Sequence, residues 1–302
     1  MSSQRAARGL GVAGCAAALV LLGAACGERG EPTGATVAAA YPVTVQGANE
    51  QPTVVERAPE RVLPVSASVA VVVDALGKRS LVPGAPAGGV LRPFPVRAVA
   101  ATSADLVIGS QANDAVQLET AVAATKTPLL VVGDSSLRDY ERSILGIGLA
   151  LGASVEARAL VKEIDARLAE VKRKLQGAPR VKVFVDTGYY IPVADDTFAG
   201  ELLRAAGGEN IAGAAEPSPF PIKQLLAAAP DVYIATEASG ATLAELRRTK
   251  RVRNLAAIRE GRFAVIPASL LKPGPDVGDA VLQLYGILHP DGAAPAAATT
   301  TS

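Results

Sequence analysis

The stretch SVEARALVKEIDARLAEVKRKLQ, from Ser154 to Gln176, decides the fold. Its apolar side chains recur at steps of four, four, three and four residues, at Leu160, Ile164, Leu168, Val171 and Leu175. This spacing predicts an α-helix with one buried stripe, and lysine, arginine and glutamate occupy its other face. Such a helix would span roughly 34 Å, enough to connect two lobes. A coiled-coil dimer is the alternative interpretation of the same stripe.

Helical patterning begins before this stretch, at Leu137, and Gly152-Ala153 interrupts it. Ser154 is therefore expected to cap the second of two consecutive helices. We predict a helical spine over residues 136–178.

Strand and helix patterns alternate on both sides of the spine, which predicts one α/β lobe over residues 41–135 and a second over 179–290. The first is expected to open with a β-hairpin over residues 41–55. In the lobes, Ala101–Ile108 and Ala227–Ile234 match each other, since each runs through an aspartate into an apolar strand. Continuous apolar runs, which are typical of parallel strands, occur at Asp105–Ile108 and Leu129–Val132. Further strands are predicted at Arg61–Val65, Val181–Val185, Val232–Ala235 and Phe263–Ile266.

The chain starts with a basic and then an apolar segment, which is typical of a signal peptide. The apolar run from Leu10 to Ala25 is short for a transmembrane helix, which needs about 20 residues. It ends in LGAAC, residues 22–26, which resembles the lipobox of bacterial lipoproteins. Residues 1–26 are thus predicted to be a lipoprotein signal peptide, with Cys26 acylated by fatty acids such as palmitate. A competing match ends at Cys15, and a plain secretory peptide is the other alternative.

Acylated Cys26 would hold the protein on the lipid bilayer at the extracytoplasmic face of the cell membrane. The Gly/Pro/Glu/Ala-rich residues 27–40 are predicted to form a flexible tether, and the Ala/Thr/Pro-rich residues 291–302 a disordered tail.

The composition argues against several classes of function. The net charge is +1 and basic residues are scattered, so nucleic acid is not an expected partner. His289 is the only histidine and is interpreted as structural, which leaves no Ser-His or Cys-His catalytic pair and disfavours a bare transition metal. We therefore expect neither an enzyme nor a cofactor. A carboxylate pair could still hydrolyse a substrate, but no spacing of acids singles one out.

Several short motifs, in this order, resemble the helical-backbone substrate-binding proteins of ABC importers for iron siderophores, haem and cobalamin. They are Ala58–Val62, the pair Ala104–Ile108 and Pro230–Ile234, Leu202–Asn210, Arg253–Val265 and Lys272–Pro275. The resemblance implies a class III periplasmic binding protein-like α/β fold, with two Rossmann-like lobes joined by one long backbone helix. It also implies a monomer with a shallow interlobe cleft, little hinge motion, and delivery of ligand to an ABC permease and its ATPase.

Ligands of open parallel sheets bind beyond the carboxyl ends of the strands. On this rule the candidate ligand-binding residues are Ser66, Ser68, Ser110, Gln111, Tyr189, Tyr190, Phe220, Thr236, Glu237 and Lys272.

Some of these candidates have a second interpretation. Ser66 or Ser68 could simply cap the following helix. Tyr189 and Tyr190 could stack on a macrocycle, donate to a siderophore or ligate haem iron, or could be ordinary loop residues. Asp195 and Asp196 are expected to cap the helix that begins near Thr197 rather than to bind metal.

In importers of the resembled family, one glutamate on each lobe meets arginines of the permease. The corresponding positions lie eight residues before Asp105 and Asp231, and they hold Arg97 and Lys223. Like charges across an interface repel. Either the cognate permease carries acids there, or other glutamates such as Glu119 or Glu216 dock, or the protein has left transport.

The sequence thus predicts a membrane-anchored binding protein that captures a chelated metal, with a ferric siderophore favoured over haem and cobalamin. A surface lipoprotein with a sensing or structural role is the alternative, and a hydrolase on a similar scaffold is a further one.

Overall fold

The computed structural model describes residues 40–113, 115–214 and 218–290. Their strands are β1 Val43–Gln46, β2 Pro52–Val55, β3 Val62–Pro64, β4 Leu106–Ser110, β5 Leu129–Val132, β6 Val181–Asp186, β7 Gly208–Asn210, β8 Val232–Thr236 and β9 Phe263–Ile266. Their α-helices are α1 Ala67–Ala75, α2 Ala115–Thr125, α3 Leu137–Ala150, α4 Ser154–Lys174, α5 Phe198–Ala205, α6 Ile222–Ala228, α7 Leu243–Arg248, α8 Ala256–Arg259 and α9 Val277–Leu288. The predicted signal peptide with Cys15 and Cys26, almost all of the tether, Glu216 and the predicted tail lie outside the described residues.

The first sheet is parallel, with strand order β3-β4-β5. We call this sheet, its helices and the preceding hairpin the N-terminal lobe. The antiparallel β1–β2 hairpin continues the lobe beside β5, because Ala48 N donates to Val131 O at 2.7 Å and Thr53 Oγ1 to Leu129 O at 2.5 Å. All five residues of the central strand β4 are buried, as its continuous apolar run predicts.

The second sheet is also parallel, with order β7-β6-β8-β9, and we call it and its helices the C-terminal lobe. The prediction missed β7, because Gly208-Glu-Asn210 carries no apolar run. These residues form an edge strand only through pairing with β6, where Gly208 lies opposite Val181.

A shared aspartate explains the matching motifs of the two lobes. Asp105, just before β4, accepts hydrogen bonds from the backbone N–H groups of Glu60 and Arg61 at 2.8 and 3.0 Å. Asp231, just before β8, accepts one from Lys182 N at 2.9 Å. In each lobe the carboxylate therefore ties the start of one strand to its neighbour, which fixes the register of the parallel pair.

The predicted spine consists of α3 and α4, and α4 is the longest helix among the described residues. The chain turns between them at Gly152, whose φ is 63°. The prediction that Ser154 caps α4 is wrong: the N-cap position is Ala153, which makes no side-chain capping bond, and Ser154 is the first helical residue. The prediction for α5 is also wrong, since Thr197 itself accepts from Gly200 N at 3.2 Å and so leaves no capping role for Asp195 or Asp196.

The apolar stripe of α4 is covered within the chain itself. Ile164 and Val171 are buried, and the other three stripe residues are half-buried against the same core. On one side α4 packs on α3, so closely that a Cβ at Gly148 would overlap Ala157. On the other side it packs on α9, where a Cβ at Gly278 would lie 2.8 Å from Arg167 Cβ.

One hydrophobic cluster joins the spine to both sheets. It contains Val62 and Leu106 of the first sheet, Ile144 of the spine, and Val183 and Ile234 of the second sheet. A hydrogen bond also links the lobes, because the N–H of Leu137, the first residue of α3, donates to the Glu201 carboxylate of α5 at 2.7 Å. The spine therefore connects the lobes through a shared core. Within the described ranges, no helix has the length and apolar character needed to cross a bilayer.

Candidate functional site

A cavity of about 860 Å³ lies where the strands of the first sheet end and faces the segment between β9 and α9. We call it the interlobe cleft. It is lined by Ser66, Ala67, Ser68, Val71, Asp74, Ala75, Gly89, Val90, Leu91, Ser110, Ala112, Asp134, Ser269, Lys272, Pro273, Gly274, Pro275 and Asp276. Four predicted site residues, Ser66, Ser68, Ser110 and Lys272, therefore lie together.

Two hydroxyls and a carboxylate form a connected chain on the N-terminal wall of the cleft. Ser68 Oγ donates to Asp134 Oδ2 at 2.9 Å, and Ser66 Oγ lies 3.1 Å from Ser68 Oγ. Since each hydroxyl has one proton, Ser66 must donate to Ser68. Ser66 also caps α1 by accepting from Val69 N at 3.3 Å, so it combines a structural role with its place in the cleft.

Ser110, at the end of β4, is only 1% exposed, and its Oγ has no hydrogen-bond partner among the described residues. Its backbone is held firmly, because Ser110 N donates to Asn113 Oδ1 at 2.9 Å and Asn113 Nδ2 donates to Val65 O at 3.1 Å. An unpaired buried hydroxyl costs stability, and this one belongs to a residue that lines the cleft.

Acidic and basic side chains lie around the cleft at different depths. Asp74 forms an ion pair with Arg79, whose guanidinium also binds the carbonyls of Pro86 and Gly89 and so holds the Gly/Pro-rich rim loop. Asp134 is half-buried, whereas Lys272 and Asp276 are exposed.

Tyr140 of α3 lies near Asp134 and Asp276. Its side chain is 2% exposed, and its hydroxyl has no partner among the described residues. Burial, and then the charges of Asp276 and Asp134, raise the pKa of Tyr140, so the hydroxyl keeps its proton.

At the end of β6 the C-terminal lobe carries a strained turn. Tyr189 and Tyr190 have φ angles of 54° and 63°, in the left-handed region that non-glycine residues rarely adopt. Asp186 stabilises the turn, because its Oδ1 accepts from Gly188 N and Tyr190 N, both at 2.9 Å. Its Oδ2 accepts from the buried Tyr233 hydroxyl at 2.7 Å.

The two adjacent tyrosines point to different environments. Tyr189 is 87% exposed. Tyr190 packs against a buried aromatic cluster that contains Phe184 and Tyr233, and partial burial, then the nearby charge of Asp186, raise the pKa of Tyr190. Phe220 packs against the same cluster, with its ring centroid 5.6 Å from that of Phe184.

The remaining candidates do not line the interlobe cleft. Thr236 is 2% exposed, and Glu237 is exposed at the start of a 3₁₀ turn after β8. Gln111 lines a second cavity, of about 440 Å³, beside the hairpin and α3, and its Nε2 donates to Ala48 O at 3.3 Å. Tyr189, Tyr190 and Phe220 likewise do not line the cleft, so the structure brings together four of the ten candidates.

Sequence reasoning missed two acidic residues that line this cleft, Asp134 and Asp276. Asp134 lies two residues after the end of β5, so the strand-end rule that selected Ser110 also applies to it. Asp276, just beyond the Lys272–Pro275 motif, has no such signal.

Three other residues that the sequence singles out, Arg97, Lys223 and His289, do not line the cleft. Arg97 lies exposed in a 3₁₀ turn before β4, and Lys223 lies exposed on α6 before β8. His289 ends α9 with its ring stacked on Tyr285 at 4.9 Å, and burial lowers its pKa. The described ranges contain no cluster of three or more His, Cys, Asp or Glu able to hold a metal ion.

The sequence and the fold both match known proteins. A family model described as periplasmic binding protein matches residues 94–270, more than half of the chain. None of the curated proteins matches the sequence significantly.

Solved structures of low sequence identity share the fold. The periplasmic haem-binding protein RhuT of Roseiflexus is 20% identical, with a TM-score of 0.66 over 78% of this chain and 99% of that one. The molybdate-binding protein MolA of Haemophilus influenzae is 12% identical, with a TM-score of 0.69 over 83% and 92%. Helicobacter pylori CeuE in a Ni-His complex is 14% identical, with a TM-score of 0.65 over 83% and 89%.

The buried phenols of Tyr233 and Tyr140 allow a matched test of what a paired and an unpaired buried hydroxyl contribute to stability. Tyr233→Phe removes a hydrogen bond to buried Asp186 and should lower the free energy of unfolding by about 1–3 kcal/mol. Tyr140→Phe removes the same atom where it has no partner in the described residues, and it should leave stability unchanged or raise it by about 1 kcal/mol. Urea unfolding followed by circular dichroism measures both changes. Equal losses in the two variants would contradict this account.

Proposed function

This chain belongs to the periplasmic binding protein family, the solute-binding components of ABC transporters, and from that premise we propose that it captures a chelated metal outside the cytoplasmic membrane. The observation that carries the proposal is the interlobe cleft, whose hydroxyls and carboxylates stand against apolar walls. Its volume of about 860 Å³ lies within the range of sites for drug-sized ligands. A bare ion would leave most of this space unused.

A ferric siderophore is the ligand we propose first. Serine hydroxyls and a lysine suit the polar groups around a chelated iron, and Ser110 offers an uncommitted hydroxyl. Haem is the second candidate, since Tyr189 is exposed on a turn that Asp186 holds by hydrogen bonds, and a tyrosinate can ligate haem iron. Cobalamin is third, because the chain has no tryptophan and few aromatic residues to contact a corrin.

We propose that binding involves no covalent reaction. The chain Ser66–Ser68–Asp134 has the hydroxyls and carboxylate of a hydrolytic triad but lacks a histidine, and His289 is not among the residues of the cleft. Without a base next to it, a serine hydroxyl is a weak nucleophile.

Calorimetry tests the ligand. A ferric siderophore, haemin and cyanocobalamin are each added to the full chain in mild detergent, at about 100 times the dissociation constant where binding is seen. A true ligand then adds about 2.7 kcal/mol, which should raise the melting temperature by roughly 5–10 °C. Absence of any shift or binding heat with all three would sink the proposal and favour a non-transport role.

A pair of alanine-to-tryptophan variants locates the binding. Ala112 lines the interlobe cleft, so Ala112→Trp should weaken binding at least about tenfold by occupying it. Ala48 lines the second cavity, so Ala48→Trp serves as the control and should bind like the parent. The reverse result would move the site to the second cavity.

We also propose that Cys26 is acylated and anchors the protein at the extracytoplasmic face of the membrane. Support comes from the signal-peptide pattern that ends at this cysteine. Cys26→Ser should abolish incorporation of labelled palmitate and release the protein from the membrane fraction. Cys15→Ser is the control and should keep both properties; their loss there instead would assign the anchor to Cys15.

We propose that Arg97 and Lys223 dock on acidic groups of the cognate permease. Both residues are exposed and precede equivalent strands of the two lobes. If the permease instead carries arginines where Arg97 and Lys223 would meet it, the like charges would cost several kcal/mol and prevent docking. The same two residues would then favour a second candidate function, a sensing lipoprotein.

Charge reversal separates these two cases. Arg97→Glu with Lys223→Glu should abolish uptake of the radiolabelled chelate in cells that carry the permease, while binding to the purified protein stays intact. Arg158→Glu with Lys162→Glu changes the net charge equally on the exposed face of α4 and is the control. Unchanged uptake in the first variant would retire the docking proposal.

A further inference from the structure

The charges of the interlobe cleft are unequally compensated. Asp74 is paired with Arg79, so it contributes little net charge. Asp134 and Asp276 have no ion-pair partner within 4.0 Å among the described residues. Lys272 is the one basic residue among those that line the cleft, and none of these residues is an arginine. The lining therefore carries an excess of negative charge.

The more buried of the two free carboxylates is Asp134, which is half-buried at the end of β5. It accepts a hydrogen bond from a neutral donor, the Ser68 hydroxyl, at 2.9 Å. A carboxylate in such a place is screened less by salt than one at the surface. An anionic ligand in the cleft would meet this charge directly, whereas a cation would compensate it.

The hydrogen-bonding groups of the wall also disfavour an anionic ligand, because most of them are acceptors. The protons of Ser66 and Ser68 are already committed, to Ser68 and to Asp134 respectively, so this part of the wall presents oxygen lone pairs. The free carboxylate oxygens of Asp134 and Asp276 are acceptors as well. These acceptors on both sides of the cleft therefore favour a ligand that carries N–H or O–H donors.

The unpaired hydroxyl of Ser110 distinguishes this wall from an ordinary group of acidic residues. Ser110 Oγ is buried and unpartnered in the described part of the chain, and Ser110 lines the same cavity as both aspartates. Its hydroxyl proton is free to donate to a ligand carbonyl or hydroxamate oxygen.

We infer that the cleft selects neutral or cationic metal chelates that carry N–H donors, of the ferric hydroxamate class with ammonium or amide groups, and discriminates against anionic chelates such as ferric catecholates. Asp134 is the residue to which we assign this discrimination. The inference rests on the proposed function, because it concerns the ligand of the same cleft.

Isothermal titration of the full chain tests the inference with three probes of different charge. Ferrioxamine B is a cationic ferric hydroxamate, ferrichrome is a neutral one, and ferric enterobactin is a strongly anionic catecholate. The first two should bind at least about tenfold tighter than the third. Added salt should weaken ferrioxamine B binding and leave ferrichrome binding nearly unchanged.

Substitution of Asp134 tests whether this carboxylate causes the preference for cationic over anionic chelates. Asp134→Asn should weaken ferrioxamine B binding about tenfold, as expected for loss of a charge-assisted hydrogen bond, and should not weaken ferric enterobactin binding. Asp165→Asn makes the same change on an exposed part of α4 and is the control. If Asp134→Asn does not fold, as judged by circular dichroism, Asp276→Asn at the exposed rim carries the same expectation.

The outcomes separate this inference from the proposed function. Tightest binding by ferric enterobactin would overturn the charge selection and leave capture of a chelate supported. A preserved preference for ferrioxamine B in both aspartate variants would overturn the assignment to these carboxylates. Failure of all three probes, together with haemin and cyanocobalamin, would overturn the proposed function and the inference with it.

Discussion

Close packing of three helices holds the two sheets at a fixed separation, and the cleft depends on it. Glycines make this packing possible: Gly148 lets α3 approach Ala157 of α4, and Gly278 lets α9 approach Arg167 of α4. The apolar cluster runs without a break from the first sheet through the spine to the second. Separation of the lobes would expose part of this core to water, which is unfavourable in proportion to the apolar area. This cost opposes separation of the lobes.

Within this arrangement of helices and sheets, the parallel strand topology determines which residues lie together in the cleft. All strands of a parallel sheet end at one edge, so segments far apart in sequence converge there. Ser66, Ser110 and Asp134 each follow or end a different strand of the first sheet and line one cavity. The aspartates that precede β4 and β8 fix strand register at the opposite edge. Register and cleft geometry are thus set at the two ends of the same strands.

Local patterns in the sequence were sufficient for the frame but not for the site. Continuous apolar runs predicted the buried strands, and the periodicity of α4 predicted the spine, because both signals lie within one element. Strand β7 and the Asp186–Tyr233 bond could not be predicted, since each depends on pairing between distant segments. Gln111 obeyed the strand-end rule yet lines another cavity, because its side chain donates to Ala48 of the hairpin. The direction of a side chain at a strand end therefore depends on tertiary contacts, which a local sequence pattern does not show.

The turn at Tyr189 and Tyr190 illustrates how such tertiary bonds offset local strain. Two non-glycine residues with left-handed backbone cost of order 1–3 kcal/mol each. Asp186 compensates through hydrogen bonds to two backbone amides and to Tyr233, and charge-assisted bonds of this kind are stronger than neutral ones. The turn therefore holds the exposed Tyr189 on a backbone that is already ordered. When a phenol on an ordered backbone contacts another molecule, it loses less conformational entropy than a phenol on a mobile loop does. This smaller entropy cost is a physical reason for the strained turn.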